Sequence, residues 1–285
     1  MGKFDGIIIV SDIDGTFLGK NSRIVPENIE AIEYFKKEGG CFTIATGREV
    51  FSIPRCIPMV KELCNIPIIA CNGAFIYDLQ EDRIVTEEFL PEPEISAIVD
   101  AVRAACPEVS MRIACCGKQV EDKDYPIIRP VREKYRGYIE IVPYEEIPHG
   151  CWHQITWMDE PERMERVRQV VEPLLKGGCV CAMSGRTMFE IFSVRGTKGA
   201  MLSRLKQLTG RESAELWAIG DYENDLLMLQ MADRCAMPAN GIDKLRKIPG
   251  MVEVCSHDEG AIAGLIRHIE AEIEARKGAV PDGKV

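Results

Sequence analysis

The sequence predicts an α/β protein in which a parallel-sheet core is interrupted by an inserted α+β unit. Three observations support this fold class. Strand-like and helix-like segments alternate over the first eighty residues, the pattern changes between 83 and 190, and it then resumes. A chain of 285 residues can bury a large core and carry a second, smaller domain. We therefore expect a core made of residues 1–82 and 191–285, and an insert at 83–190.

The N-terminal part of the core has the order strand, helix, strand, helix, strand. Residues 6–10 are apolar and β-branched, as in a strand buried on both faces. Residues 26–40 predict a helix, because Pro26 suits its first turn and Gly39–Gly40 suit its end. Strands are predicted at 42–45 and 67–71. This order is typical of parallel strands joined by right-handed crossovers.

The insert has a different pattern. Residues 153–158 and 187–192 alternate apolar and polar side chains, which predicts antiparallel strands, and 94–105 and 161–175 predict helices placed between strands. Beyond the insert we expect a helix at 199–209, a buried strand at 216–219, and helices at 225–231 and 259–275. Residues 277–285 read as a frayed polar tail.

Composition excludes several classes of partner. The net charge is −10, so the surface repels nucleic acid and anionic lipid. No segment has the length of a membrane span or the pattern of a secretory signal. The twelve cysteines include no C-x-x-C pair, and Cys115–Cys116 and Cys179-x-Cys181 lack zinc-ligand spacing. We expect reduced thiols in a cytoplasmic protein.

The most informative segment is Asp12-Ile-Asp14-Gly-Thr16, which directly follows the first strand. A carboxylate that attacks phosphorus needs a cation to offset the phosphoryl charge, and a second acid can protonate the leaving group. A calcium loop of the EF-hand type would need glycine at its sixth position and flanking helices, so it does not fit. A plain surface turn is the remaining alternative.

Three further segments follow predicted strands or precede predicted helices, and each is weak evidence alone. Thr46-Gly47-Arg48 has the hydroxyl and backbone N–H groups of a phosphate-binding turn. Lys198 could hold a carboxylate and phosphate oxygens, although a surface lysine is the commoner reading. The segment Gly220-Asp221-Tyr-Glu-Asn224-Asp225 offers oxygen ligands for Mg²⁺, or simply caps the next helix. Ligands bind at the carboxyl edge of parallel sheets, where these segments would lie.

Together these motifs resemble the haloacid dehalogenase-like (HAD) superfamily, and most closely its Cof-type phosphatases with an inserted α/β cap of type IIB. Asn72-Gly-Ala, Glu190-Ile and Asp258-Glu-Gly-Ala are also similar to that branch. The resemblance implies a Rossmann-like core. It further implies Asp12 as nucleophile and Asp14 as general acid and base. The other implied roles are phosphate binding by Thr46, Gly47, Lys198 and Asn224, substrate contacts by Arg48 and Asn72, and Mg²⁺ binding by Asp12, Asp14, Asp221 and Asp225.

The predicted function is a Mg²⁺-dependent phosphatase acting on a small phosphate monoester, such as a sugar phosphate, through an aspartyl-phosphate on Asp12. Two alternatives stay open: a phosphomutase of the phosphomannomutase type, and a catalytically idle binding protein. In the insert, Arg129, Arg132, Lys134 and Arg136 could read a second anionic group or form a solvated face. The expected partner is a small phosphate ester, with no nucleic acid or membrane, and the sequence leaves the oligomeric state open.

Overall fold

The structure is a computed structural model that describes residues 2–278. Its strands are β1 (Ile7–Ser11), β2 (Leu18–Gly19), β3 (Arg23–Ile24), β4 (Cys41–Ile44), β5 (Ile68–Ala70), β6 (Phe75–Asp78), β7 (Arg83–Glu87), β8 (Ser110–Cys115), β9 (Lys118–Glu121), β10 (Ile139–Ile141), β11 (Trp152–Met158), β12 (Cys179–Gly185), β13 (Met188–Ser193), β14 (Glu215–Ile219), β15 (Arg234–Pro238) and β16 (Val252–Val254). Its α-helices are α1 (Pro26–Lys37), α2 (Ile53–Cys56), α3 (Val60–Leu63), α4 (Glu94–Ala105), α5 (Arg129–Lys134), α6 (Pro161–Val171), α7 (Ala200–Leu208), α8 (Leu226–Met231) and α9 (Ala261–Gly278).

The core is a parallel sheet with helices on both faces. Its five strands run in the order β16-β15-β14-β1-β4, and every adjacent pair is parallel. Alternate residues of β1 enter opposite layers: Ile7 and Ile9 belong to the apolar cluster that includes α1 and α9, whereas Ile8 and Val10 pack with α7 and α8. The α/β fold class is therefore confirmed. The uninterrupted apolar run in β1 is what burial on both faces requires.

The third predicted strand departs from the expected sheet. Strand β5 joins the main sheet through one parallel bridge, between Ala45 and Ile69. Its full pairing is antiparallel, in a separate sheet of order β5-β6-β7. The chain turns back directly after β5, through Asn72 and Gly73, so β6 lies beside β5 without a crossover helix.

The insert is an antiparallel sheet covered by helices on one face. Its six strands run in the order β10-β9-β8-β11-β13-β12, and only the β9–β10 pair is parallel. Helices α4 and α6 cover one face of this sheet and pack against its apolar side chains Ile113, Ile155 and Trp157. The opposite side chains, at alternate positions, face the core. This is the α+β insert that the sequence predicts, and we call it the cap.

The sheets give a slightly different division of the chain from the predicted insert at 83–190. Strand β7 pairs with β6 of the core, although it begins at the predicted start of the insert. Strand β13 belongs to the cap sheet and continues past 190 to Ser193. We propose that the cap comprises residues 88–193. A boundary placed inside a strand is excluded because the strand's hydrogen bonds hold it to one sheet.

Smaller differences concern element ends. The predicted helix 161–175 is α6 followed by a 3-10 turn at Glu172–Leu174. The predicted helix 225–231 begins with a 3-10 turn at Glu223–Asp225. Residues 277 and 278 of the predicted tail still belong to α9, and the rest of that tail lies outside the described residues. Within the described part of the chain, no helix combines the length and apolarity needed to cross a membrane.

Candidate active site

Three of the predicted site residues lie at the carboxyl edge of the core sheet. Asp12 follows β1 and its backbone N–H donates to the carbonyl of Ile219 at 2.9 Å. Thr46 follows β4 and its N–H donates to the carbonyl of Ile69 at 2.9 Å. Asp221 follows β14. Because neighbouring parallel strands end at the same edge, residues far apart in the sequence meet here, as predicted.

Lys198 lies beneath this edge and holds two carboxylates. Its Nζ atom donates to Asp12 Oδ1 at 2.6 Å and to Asp225 Oδ1 at 2.7 Å. The side chain is only 1% exposed. Burial lowers the pKa of Lys198, but the adjacent Asp12 and Asp225 carboxylates raise it by more, so the ammonium stays charged. The lysine therefore fixes the orientation of Asp12.

Asp225 has a positioning role in this structure. Its Oδ2 atom accepts the backbone N–H groups of Asp221 and Tyr222, at 3.0 and 3.2 Å, while Oδ1 accepts from Lys198. Both oxygens are thus already hydrogen-bonded, which argues against the direct metal contact allowed by the sequence prediction. The Asp221 carboxylate is held separately, by the Thr16 hydroxyl at 3.0 Å.

Gly15 makes room for Asp221. A Cβ atom at this position would lie 2.3 Å from Asp221 Oδ2, and the backbone has φ +82°, a conformation that side chains disfavour. Only glycine allows the loop after β1 to pass this close to the second aspartate.

Asp14 and Arg48 form a two-pronged ion pair at the mouth of the site. Arg48 Nε donates to Asp14 Oδ2 at 2.6 Å, and its terminal nitrogen donates to Oδ1 at 2.7 Å. Arg48 also reaches Tyr135 of the cap, at 3.4 Å. In this structure Arg48 contacts the second acid and the cap, and its predicted contact with substrate stays a prediction.

The acidic cluster, defined as Asp12, Asp14, Asp221 and Asp225, is under-compensated. Lys198 and Arg48 offset two of its four negative charges. The two negative charges that remain could be balanced by one divalent cation. Oxygens of Asp12, Asp221 and Asp225 lie within 4.8 Å of one another. Burial raises the pKa of Asp221 to about 7, and the neighbouring Asp225 contributes in the same direction. An all-oxygen donor set with excess negative charge suits a hard divalent metal ion.

Asn72 joins core and cap rather than lining the site. It is fully buried, and its Nδ2 atom donates to Gln154 Oε1 at 3.0 Å and to Glu190 Oε2 at 2.9 Å, both in the cap. Its Oδ1 atom accepts from Asn224 at 3.2 Å. The predicted direct substrate contact at Asn72 is therefore replaced by a positioning role. Asn224, predicted to bind phosphate, lines the site and is oriented by Asn72.

A cavity of about 410 Å³ lies between the carboxyl edge and the open face of the cap sheet. The predicted site residues Asp12, Asp14, Thr46, Gly47, Arg48, Asp221 and Asn224 line it from the core. The cap contributes Arg112, Gln119, Lys134, Tyr135, Gln154, Thr156, Met158, Ser184, Met188 and Glu190. A pocket of this size can enclose a small metabolite.

Two titratable groups in the cavity wall, Glu49 and Arg112, lie outside the acidic cluster. Glu49 is 7% exposed, and burial raises its pKa to about 7, although a hydrogen bond from the Cys71 thiol at 3.2 Å opposes this. Burial lowers the pKa of Arg112, opposed by the nearby Glu121. Arg112 Nε is buried without a hydrogen-bond partner among the described residues. An unpaired buried donor is costly, so this wall favours a polar ligand.

The cap residues in the wall could have been found from strand periodicity. In β11, Gln154, Thr156 and Met158 alternate with Ile155 and Trp157, which pack under the cap helices. Arg112 stands opposite Thr156 in the pairing of β8 with β11. The polar half of each alternating strand therefore marks the substrate-facing side. Glu49 gave no such signal, because it lies in a turn next to the Thr46-Gly47-Arg48 motif.

Comparison with known proteins identifies the family. The family model of haloacid dehalogenase-like hydrolases matches residues 9–266. The chain is 27% identical to 5-amino-6-(5-phospho-D-ribitylamino)uracil phosphatase YwtE of Bacillus subtilis, over 90% of this chain and 96% of that protein. It is 24% identical to a phosphoglycolate phosphatase of Methanopyrus kandleri, over 94% of this chain and 99% of that protein.

A solved structure agrees with the fold. A haloacid dehalogenase-like hydrolase from B. subtilis aligns with a TM-score of 0.76 and 20% identity, over 92% of this chain and 99% of that one. The chain belongs to the haloacid dehalogenase-like hydrolase family, which the four motifs predicted. It is an enzyme of the hydrolase class, and its relatives from B. subtilis and M. kandleri are both named as phosphatases.

Proposed function

We propose that the protein is a Mg²⁺-dependent phosphatase that hydrolyses a small phosphate monoester through an aspartyl-phosphate on Asp12. One observation carries the proposal. Asp12 is nearly buried, its Oδ1 atom is fixed by Lys198 at 2.6 Å, and its carboxylate opens onto a cavity that is walled by both core and cap. An oriented carboxylate facing an enclosed site has the geometry of a nucleophile.

The reaction can be written with the side chains present. An Asp12 oxygen attacks phosphorus, the bond from phosphorus to the leaving oxygen breaks, and Asp14, in its protonated form, supplies a proton to that oxygen. Water then attacks phosphorus, gives its proton to Asp14 and releases Asp12 with its own oxygens. Thr46, Gly47 and Lys198 would hold the phosphoryl oxygens. To transfer a proton, Asp14 must break at least one of its two hydrogen bonds with Arg48. Because Arg48 also contacts Tyr135, this step would be coupled to the position of the cap.

The acidic cluster would hold the metal through Asp12, Asp221 and the backbone carbonyl of Asp14, with Asp225 behind them. When bound, Mg²⁺ supplies positive charge that offsets the phosphoryl oxygens and the attacking carboxylate. We expect Mg²⁺ to be preferred over Ca²⁺, because calcium accepts irregular coordination and would orient the reactants less strictly.

The cavity favours a polyhydroxylated substrate. Gln119, Gln154 and Thr156 present amide and hydroxyl groups, which suit hydrogen bonds to a sugar or sugar alcohol. By their names, the two relatives described above act on different esters, a phosphorylated ribityl derivative and phosphoglycolate. The similarity therefore supports a phosphate ester as substrate, and we expect the cap to determine which one.

A phosphomutase is less well supported. A mutase must bind a second phosphate firmly, and two residues of the basic cluster of the cap (Arg129, Arg132, Lys134 and Arg136) are already paired with acids. Arg129 pairs with Asp124 at 2.5 Å, and Arg132 pairs with Asp124 and the buried Glu121. Lys134 is the one member of this cluster that lines the cavity.

The test is phosphate release from p-nitrophenyl phosphate and a panel of sugar phosphates, with and without Mg²⁺. We expect Mg²⁺-dependent release by the wild type, loss of release in Asp12→Asn, and normal release in Asp243→Asn, whose side chain is 94% exposed. Release that survives in Asp12→Asn would refute the mechanism. Conversion of a hexose 1-phosphate to its 6-phosphate with little free phosphate would favour the mutase, and an inactive wild type would favour a binding protein.

A further inference from the structure

We propose that Cys115, Cys116 and Cys151 form a binding site for one thiophilic cation of the Zn²⁺ type, separate from the acidic cluster. The three sulfur atoms form a compact triangle. Cys151 Sγ lies 3.2 Å from both Cys115 Sγ and Cys116 Sγ, and these two lie 3.5 Å apart. We call this group the thiol cluster.

The fold brings the three thiols together from two segments. Strand β8 ends at Cys115, Cys116 follows in the tight turn to β9, and Cys151 precedes β11, which pairs with β8 so that Trp152 stands opposite Cys115. Cys151 and Cys115 are separated by 36 positions. The spacing of Cys115–Cys116 alone argues against zinc ligation. The third ligand, Cys151, comes from the segment that precedes β11, and it changes that conclusion.

The turn itself is unusual for a cysteine. Cys116 has φ +51° and Gly117 has φ +76°, the positive-φ pair of a two-residue hairpin turn. Such positions favour asparagine or glycine, and other side chains are disfavoured there. This backbone conformation directs the Cys116 sulfur toward the other two sulfurs. Cysteine therefore occupies a disfavoured conformation in which the three thiols lie close together.

The distances fit a metal after a small expansion. A tetrahedral ion with metal–sulfur bonds of about 2.3 Å holds its sulfurs about 3.8 Å apart. The observed spacings, 3.2, 3.2 and 3.5 Å, are about 0.3–0.6 Å shorter. Cys116 is exposed and Cys151 is half-buried, so movement of these two side chains can widen all three distances. The carbonyl of Pro148 accepts from Cys151 at 3.4 Å, and water can take the fourth position on the exposed side.

The chemistry of the three side chains also suits a soft cation. Binding replaces protons by the metal: three metal–sulfur bonds form, three S–H bonds break, and the protons pass to solvent. Soft thiolates select zinc-like ions over Mg²⁺, so the two sites differ in specificity.

The experiment uses full-length protein, fully reduced and held without oxygen, and Co²⁺ as a spectroscopic probe. Thiolate ligation gives a sulfur-to-cobalt charge-transfer band, which carboxylate ligation at the acidic cluster cannot produce. We expect one equivalent of Co²⁺ to develop this band and Zn²⁺ to abolish it by displacement. Under the same conditions, Zn²⁺ should protect the cluster thiols from a thiol-reactive dye.

Three variants make the assignment specific. Cys151→Ser should lose the band, whereas Cys181→Ser, a half-buried cysteine of the same cap sheet, should keep it. Cys116→Gly removes one thiol at a position whose backbone favours glycine, so it should fold normally and bind at least about tenfold more weakly. Phosphatase activity should be unchanged in Cys116→Gly, which separates this test from that of the proposed function.

A wild type with no charge-transfer band, or an equal band in Cys116→Gly, would overturn the proposal. A disulfide between Cys151 and either neighbour that persists in protein purified without reductant, together with no metal binding after reduction, would also overturn it and would indicate a redox pair instead.

Discussion

Glu49 gives the most quantitative prediction. Its pKa is raised from 4.5 to about 7, first by burial, which the Cys71 hydrogen bond and the positive charge of Arg112 only partly oppose. The folded protein therefore holds this proton more tightly than the unfolded chain between pH 4.5 and 7, and stability falls as the pH rises through that interval. At about 1.4 kcal/mol per pKa unit, the full loss is about 3 kcal/mol.

Glu49→Gln removes the titration and keeps the shape of the side chain. The free energy of unfolding, measured by urea titration at pH 5 and pH 8, should fall by about 2–3 kcal/mol more in the wild type than in Glu49→Gln. The stability of Glu49→Gln relative to the wild type should therefore be greater at pH 8 than at pH 5. Glu62→Gln, at an exposed position, should follow the wild type. Parallel pH dependences of wild type and Glu49→Gln would show that Glu49 is ionised throughout and would refute the reasoning.

Two further predictions concern the acidic cluster. Lys198→Met leaves two buried carboxylates without their cation and should lower the free energy of unfolding by about 3–5 kcal/mol. The control Lys206→Met breaks the more exposed pair with Asp233 and should lower it by at most about 1 kcal/mol. Equal losses of stability in urea titrations would contradict the role of Lys198. Gly15→Ala places a methyl group against Asp221 and should lower kcat/KM about a hundredfold. The control Gly210→Ala lies at a position with positive φ and open space around it, and it should keep full activity. Equal activities of the two variants would show that Asp221 can move without consequence.

Much of the core could be predicted because its signals are local. The apolar run of β1 and the helix ends at Pro26 and Gly39 report structure directly. The rule that ligands bind at the carboxyl edge of a parallel sheet then brings Asp12, Thr46 and Asp221 together. Local patterns do not determine which strands pair, and so the antiparallel return of β5 and the membership of β7 in the core were missed.

The contacts between core and cap were the least predictable part. Asn72 bonds Gln154 and Glu190, which lie 82 and 118 positions away, and Arg48 reaches Tyr135 across 87 positions. No spacing rule links such residues, because the pairs exist only once the cap has folded over the core. The thiol cluster was missed for the same reason, since Cys151 approaches Cys115 only through the pairing of β8 with β11.

The central claim, that Asp12 is the nucleophile, is tested most directly by trapping the phosphoryl-enzyme. Wild type and Asp14→Asn would be mixed with substrate and Mg²⁺, quenched in acid within one turnover, reduced with borohydride and mapped by mass spectrometry. We predict homoserine at position 12 in both, with more in Asp14→Asn, because that variant cannot activate water for the second step. Turnover without modification at Asp12, or with modification at another residue, would contradict the claim.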